Sequence, residues 1–290
     1  MNNNSDIRDP EFLAAVECID SGDIEGLEQM IDRNPRLISA PLDHPNDGYF
    51  TNPYLLWFVA DNPIRIDRLS PRIVDLTRML IRKVKELTPG TSLDQLNYAL
   101  ALLATGRIPR ESGNQMELID LFIDAGAKPS DALSALAHGN KDASAHLVNR
   151  GSALTLGVAV GLDRMEDVRR LAESGSEDER LTALTTAAFF GNTRMISYLL
   201  DLGTNPNGYP KDGSGFHTHA TPLHQAVFSG SLEAVQLLVR AGARLDLPDK
   251  VYNGSPIGWA MYMHDEESPD EAAKKRYMEI FQWLKSWENG

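Results

Sequence analysis

The stretch of sequence that decides the fold is Thr221-Pro222-Leu223-His224-Gln225-Ala226, which is followed by Gly230 and by an apolar run that ends at Gly242. Threonine at the start can cap a helix, and proline in the first turn loses no hydrogen bond that the helix needs. Gly230 suits a tight turn, and Gly242 is placed where helices commonly end. The stretch therefore predicts two short helices that are joined by a turn and pack as a pair.

The same spacing recurs along the chain. A small residue lies four positions before each turn residue, and a glycine or asparagine lies twelve positions after it. The five matching triplets are Ala226/Gly230/Gly242, Ala187/Gly191/Gly203, Ala159/Asp163/Gly175, Ala135/Gly139/Gly151 and Cys18/Gly22/Asn34. Such repetition predicts helix pairs that bury their apolar faces against neighbouring pairs. Cys18 takes the place of alanine, so we expect a packing residue rather than a nucleophile.

The segment that opens at Thr221 resembles the ankyrin repeat. The family's Thr-Pro-Leu-His opening, the glycine in the middle and the final Gly-Ala are all present. The resemblance is most complete over residues 181–260, partial over 131–175 and slight before 130. It implies an all-α fold, an ankyrin-repeat solenoid of about eight helix-turn-helix units with short or irregular β-hairpin fingers and a degenerate N-terminal half.

We expect one ankyrin-repeat domain over residues 1–290. Its expected parts are degenerate repeats in 1–130, recognisable repeats in 131–260 and a C-terminal capping helix in 261–290. The turn positions 139, 163, 191 and 230 are 24, 28 and 39 residues apart, whereas the usual ankyrin period is about 33. Because the apolar spacing inside the helices is kept, residues 205–219 are predicted to form an enlarged finger.

In ankyrin-repeat proteins the first helices line a concave groove, and the two residues before each turn face it. The resemblance implies that the corresponding positions of this chain face a groove, and several of them are large aromatic residues. The predicted apolar centre consists of Phe189, Phe190, Phe228 and Tyr262. On the finger side we expect Tyr209, Phe216, His217, His219 and Tyr252. Contiguous exposed aromatic residues usually mark an interaction site; the alternative is that some of them pack against the long finger.

Composition restricts the partner. With 28 basic and 41 acidic residues the net charge is 28 − 41 = −13, which argues against binding to nucleic acid and favours a protein partner, possibly with a basic face. No apolar run approaches the roughly 20 residues that span a bilayer, so we expect no membrane association and a cytoplasmic location. The oligomeric state is not determined by the sequence, although a monomer is expected.

The favoured function is a non-catalytic module that binds a partner protein through the concave groove and the long C-terminal fingers. We expect no enzyme activity, cofactor or metal, because no set of nucleophile, base and orienting group can be assembled from spacing. One alternative is an acidic inhibitor or immunity-type protein that blocks a basic active site. Another is a metal or small-molecule site under the 205–219 finger, formed by His217, His219 and Asp265.

Overall fold

The computed structural model of the chain describes residues 7–43, 48–129, 132–211 and 215–288. Within these ranges the secondary structure is helical, and no β-strand is formed. The α-helices are α1 Pro10–Ser21, α2 Ile24–Arg33, α3 Arg36–Ser39, α4 Ile73–Leu87, α5 Ser92–Thr105, α6 Arg107–Glu111, α7 Gln115–Asp124, α8 Ala132–Ala137, α9 Lys141–Asn149, α10 Leu156–Gly161, α11 Met165–Ser174, α12 Glu177–Phe189, α13 Thr193–Asp201, α14 Pro222–Phe228, α15 Leu232–Arg240, α16 Pro256–Asp265 and α17 Glu271–Glu288. A 3₁₀ helix, Leu55–Ala60, lies between α3 and α4.

The chain divides into two compact units, Met1–Ala153 and Leu154–Gly290. In the first unit the helix pairs are α1 with α2, the 3₁₀ helix with α4, α5 with α7, and α8 with α9. The second unit pairs α10 with α11, α12 with α13, α14 with α15, and α16 with α17. The prediction of an all-α array of about eight helix pairs is confirmed over the described residues.

The turns within the pairs have the left-handed backbone that the glycine pattern predicted. The turn residues with positive φ are Gly22 at 78°, Gly139 at 73°, Asp163 at 58°, Gly191 at 60° and Gly230 at 70°. A side chain disfavours this conformation, although aspartate tolerates it better than most residues. At Gly191 space is also restricted, because an added Cβ would lie 2.9 Å from Ser231 Cβ.

The second unit consists of two rows of helices. The first helices α10, α12, α14 and α16 pack on one another in order, and α13, α15 and α17 form a second row. The alanines at the small-residue position, Ala159, Ala187 and Ala226, are fully buried between them, where a larger side chain would separate the helices. Helix α17 ends the stack, and its Tyr277 hydroxyl donates to the Phe228 carbonyl at 2.9 Å.

The first unit is less regular, as the sequence indicated. The 3₁₀ helix replaces the first helix of one pair and is followed by the fully buried Asp61. Arg65 Nη2 lies 2.7 Å from Asp20 Oδ1 and 3.6 Å from Asp61 Oδ1, and Arg65 N donates to Asp61 Oδ1 at 3.0 Å. The ion pairs and the hydrogen bond join this irregular connection to α1, and the loss of either partner of Arg65 would leave a buried charge less well paired.

Candidate interaction surface

The Thr221 turn positions the site in the second unit. Thr221 Oγ1 lies 2.8 Å from His224 Nδ1, and Thr221 N donates to the same nitrogen at 3.2 Å. The other ring nitrogen, Nε2, lies 3.0 Å from the Gly254 carbonyl. His224 therefore joins the start of α14 to the loop that precedes α16, and both segments carry residues of the predicted groove.

Four phenylalanines, one of them in the loop before α14, form the centre of the surface. Phe189 stacks on Phe228 with 5.3 Å between ring centroids. Phe216 lies edge-on to Phe189 at 5.0 Å, and Phe190 contacts Phe189 at 5.2 Å. Residues from the end of α12, from α14 and from the loop before α14 thus lie together.

The ring contacts continue through two histidines to the next loop. His217 contacts Phe228 at 4.9 Å and Trp259 at 5.5 Å. His219 lies 6.0 Å from Trp259 and 5.8 Å from Tyr252. We call the following residues the aromatic cluster: Phe189, Phe190, Phe216, His217, His219, Phe228, Tyr252 and Trp259. The buried His224 contacts its Trp259 at 5.0 Å.

Trp259 is the member that sequence reasoning missed. It lies one helical turn before Tyr262 on α16, and residues three apart share a helix face, so the pattern of α16 contained the signal. Its indole Nε1 donates to Asp249 Oδ2 at 3.0 Å. This bond fixes the indole beside both histidines of the cluster.

Asp249 organises the loop that presents Tyr252. Its buried carboxylate accepts from the backbone N–H groups of Val251 at 2.9 Å, Tyr252 at 2.6 Å and Gly254 at 2.9 Å, in addition to the Trp259 indole. Burial raises the pKa of Asp249, but these hydrogen bonds outweigh it and lower the pKa to about 2. Asp249 therefore stays ionised at neutral pH and holds the loop.

The cluster is exposed at its ends and covered in its middle. Phe190 is 39% exposed and Tyr252 is 78% exposed, whereas Phe216 is only 5% exposed. Phe189 and Phe228 are half-buried, since Phe216 and His217 pack on them. Part of the predicted apolar centre thus contacts the long connection, which is the alternative that the sequence left open.

Tyr209 and Tyr262 form no ring contact with the cluster. The Tyr209 hydroxyl donates to the Pro248 carbonyl at 2.6 Å, and Lys250 Nζ lies 4.1 Å from the centroid of its ring. Tyr262 is 55% exposed, and its hydroxyl donates to Glu267 Oε1 at 3.1 Å. Tyr209 supports the loop of Asp249, whereas Tyr262 extends the exposed surface along α16.

The histidines of the cluster contact aromatic rings rather than carboxylates. Burial, and to a smaller extent the nearby His219, lowers the pKa of His217, so the neutral imidazole is favoured. Asp265 Oδ1 lies 2.6 Å from His264 Nδ1. Among the described residues, no group of three or more His, Cys, Asp or Glu side chains could hold a metal ion. Residues 212–214 of the predicted finger lie outside the described ranges.

Cys18 is half-buried in the first unit, with its Sγ 4.0 Å from Met30 Sδ. Burial and then the charges of Asp23 and Glu17 raise the pKa of the thiol, which disfavours the reactive thiolate. Across the described part of the chain, no helix is long and apolar enough to cross a membrane.

Comparison with known proteins identifies the repeats. The family model described as ankyrin repeats (3 copies) matches residues 156–249. The match lies within the second unit and includes the Thr221 turn and most of the aromatic cluster.

Curated relatives share the repeats over part of their length. The bovine (Bos taurus) inactive serine/threonine-protein kinase TEX14 is 38% identical over 87 residues, which are 30% of this chain and 5% of that protein. Cyclin-dependent kinase inhibitor 2A of Monodelphis domestica is 34% identical over 119 residues, which are 38% of this chain and 66% of that protein. The chain therefore spans a small part of the first relative and just under two thirds of the second.

One solved structure aligns with this chain over most of its length. The human ASB11 ankyrin repeat domain covers 94% of this chain and 98% of its own, with 16% sequence identity. The TM-score is 0.34, which is too low to support a conclusion about this chain.

Proposed function

Because residues 156–249 identify this chain as an ankyrin-repeat protein, we propose that it is a non-catalytic module that binds a partner protein through the groove side of its second unit. Ankyrin repeats are generally protein–protein interaction modules, and the family is typically non-catalytic. The proposed contact residues are the exposed members of the aromatic cluster together with Tyr262. The covered members hold these contact residues in place.

The observation that carries the proposal is a set of aromatic side chains that remain exposed to solvent instead of packing in the core. Phe190 lies at the end of α12, Tyr252 in the loop before α16 and Tyr262 on α16, and all three remain accessible. Aromatic rings of this kind supply large contact areas at low conformational cost and dominate interface energetics.

The proposal is tested by affinity capture with the full chain as bait, followed by mass spectrometry. We expect the variant Phe190→Ala/Tyr252→Ala/Tyr262→Ala to lose the captured partner while it keeps the helical circular dichroism of the wild type. The matched control is Leu202→Ala/Trp287→Ala, which removes two exposed apolar side chains of the same unit outside the groove. Equal capture by all three proteins would refute the groove assignment.

A partner with a basic face is part of the proposal, because the chain carries a net charge of −13. Opposite charge accelerates association and makes it sensitive to salt. The expected cytoplasmic location also remains a proposal, supported by the single cysteine, which fits a reducing compartment.

A second candidate function is inhibition of the partner. The same charge favours it, and one of the relatives is named as an inhibitor of a cyclin-dependent kinase. Binding alone does not separate the two functions. An inhibitor would abolish the catalytic activity of the captured partner at saturating concentration, whereas a scaffold would leave that activity intact.

A further inference from the structure

Two exposed tyrosines end the groove at α16. Tyr252 projects from the loop that Asp249 organises and is 78% exposed, and Tyr262 on α16 is 55% exposed. His219 contacts Tyr252, and Trp259 connects His219 to the helix that carries Tyr262. Both rings therefore stand on a fixed base, since the aromatic cluster and the Asp249 carboxylate hold their segments.

The chain next to Tyr262 is strongly acidic. Residues 256–273 contain no lysine or arginine but contain five carboxylates, which are Asp265, Glu266, Glu267, Asp270 and Glu271. Three of these carboxylates have other partners. Asp265 contacts His264 at 2.6 Å, Asp270 accepts from Ala273 N at 2.7 Å, and Glu271 lies 3.3 Å from Lys274.

Glu266 and Glu267 form no ion pair with any residue in the described ranges. Glu267 accepts a hydrogen bond from the hydroxyl of Tyr262. Glu266 lies one helical turn after Tyr262, and its backbone N–H donates to the Tyr262 carbonyl at 2.9 Å. The pKa of Tyr262 is raised first by its hydrogen bond to Glu267 and, to smaller extents, by the charges of Glu266 and Tyr252. Tyr262 therefore lies beside Glu267 through its hydroxyl, and Glu266 follows it one helical turn later.

We propose that Tyr252, Tyr262, Glu266 and Glu267 form a recognition site for an arginine side chain of the partner protein. The inference rests on the proposed function and adds the chemistry of one contact to it. A guanidinium is planar, stacks on aromatic rings and donates several hydrogen bonds to carboxylates at once. An exposed tyrosine beside carboxylates that form no ion pair with a described residue, with a second exposed tyrosine on the loop before α16, complements all three properties.

Among the described residues, no lysine or arginine forms an ion pair with Glu266 or Glu267. The basic residue nearest in sequence to Tyr252 is Lys250, and its ammonium lies over the Tyr209 ring at 4.1 Å. A metal ion is a poorer occupant than arginine, because the described carboxylates and histidines include no three-ligand group, and two exposed carboxylates alone hold a divalent cation weakly.

The test uses a displayed library of random linear peptides that is panned on the immobilised full chain. We expect arginine to be enriched in the selected peptides, and we expect a synthetic copy to bind about fivefold more weakly when citrulline replaces that arginine. Citrulline keeps the shape of arginine and removes its charge. Affinities are measured by isothermal titration calorimetry.

The matching protein variant is Glu266→Gln/Glu267→Gln. It should bind the arginine peptide more weakly than the wild type by a similar factor, and it should bind the arginine and citrulline peptides with equal affinity. Glu173→Gln/Glu177→Gln is the control, since it removes two exposed carboxylates of the same unit away from the tyrosines. Selected peptides that bind in a Phe190-dependent way without a preference for arginine would overturn this inference and leave the proposed function standing. A library that gives no Phe190-dependent binder would contradict both.

Discussion

His224 shows how a single buried residue connects separate parts of the repeat. Its ring is fully buried, with one nitrogen at Thr221 and the other at the Gly254 carbonyl. Burial lowers the pKa of His224 from 6.5 to about 4, although the hydrogen bond to Gly254 and the charge of Asp249 oppose the shift. The neutral imidazole is therefore the form that the native structure requires.

We predict that this histidine makes the stability depend on pH. The native pKa lies below the unfolded value, so the unfolded state binds more protons as the pH falls from 6.5 towards 4, and stability is lost in that window. Between pH 7 and pH 5 the contribution of His224 to the free energy of unfolding should decrease by about 2 kcal/mol. Guanidinium unfolding at both pH values measures the loss.

The control for this prediction is His224→Gln, which is less stable at pH 7 because it loses hydrogen bonds but has no titrating ring. Its unfolding free energy should fall less than that of the wild type between the two pH values. Equal decreases in both proteins would show that other groups cause the acid sensitivity.

At the scale of elements, the connection before α14 is part of the aromatic cluster. Phe216 and His217 pack on the ends of α12 and α14, and Phe216 is as inaccessible as a core residue. The sequence predicted a long finger at this position from the distance between turn residues. It did not predict where the finger would lie, because its contacts are with residues of other helix pairs.

We predict that Phe216→Ala costs much more stability than Phe190→Ala. Truncation of the buried Phe216 ring leaves a cavity under the loop and should lower the free energy of unfolding by about 3 kcal/mol. Phe190 is already 39% exposed, so its truncation should lower the free energy of unfolding by about 1 kcal/mol or less. Guanidinium unfolding followed by circular dichroism compares the two. Similar losses would mean that the loop does not stabilise the unit.

At the scale of the whole molecule, the single domain expected over residues 1–290 remains a prediction. Each compact unit contains four helix pairs, and repeat proteins unfold together when neighbouring repeats are strongly coupled. Trp57 belongs to the first unit and the other tryptophans to the second. The fluorescence of Trp57→Phe therefore reports on the second unit alone, while circular dichroism reports on all helices.

If the chain is one domain, both signals of Trp57→Phe should have the same guanidinium midpoint. Two separate midpoints would show that the units unfold independently and that the single-domain prediction is wrong.

The sequence by itself determined the helix pairs of the second unit and their turns, because these depend on residues close together in the chain. A glycine with left-handed φ at 191 and 230, and a capping threonine at 221, act locally. The N-terminal half was predicted less completely: the pair of α5 and α7 has its left-handed residue at Gly113, which belongs to none of the five triplets. Degenerate repeats leave fewer local constraints to detect.

Only the tertiary structure decided which aromatic side chains are covered and which are accessible. Phe216 is buried because α12 supplies Phe189 and Phe190, and Trp259 is oriented because Asp249 lies in a separate loop. Burial and hydrogen bonding between distant segments depend on where whole helices pack, which spacing along the chain does not specify. Most residues of the aromatic cluster could therefore be named from the sequence, whereas their exposed and covered parts required the packed structure.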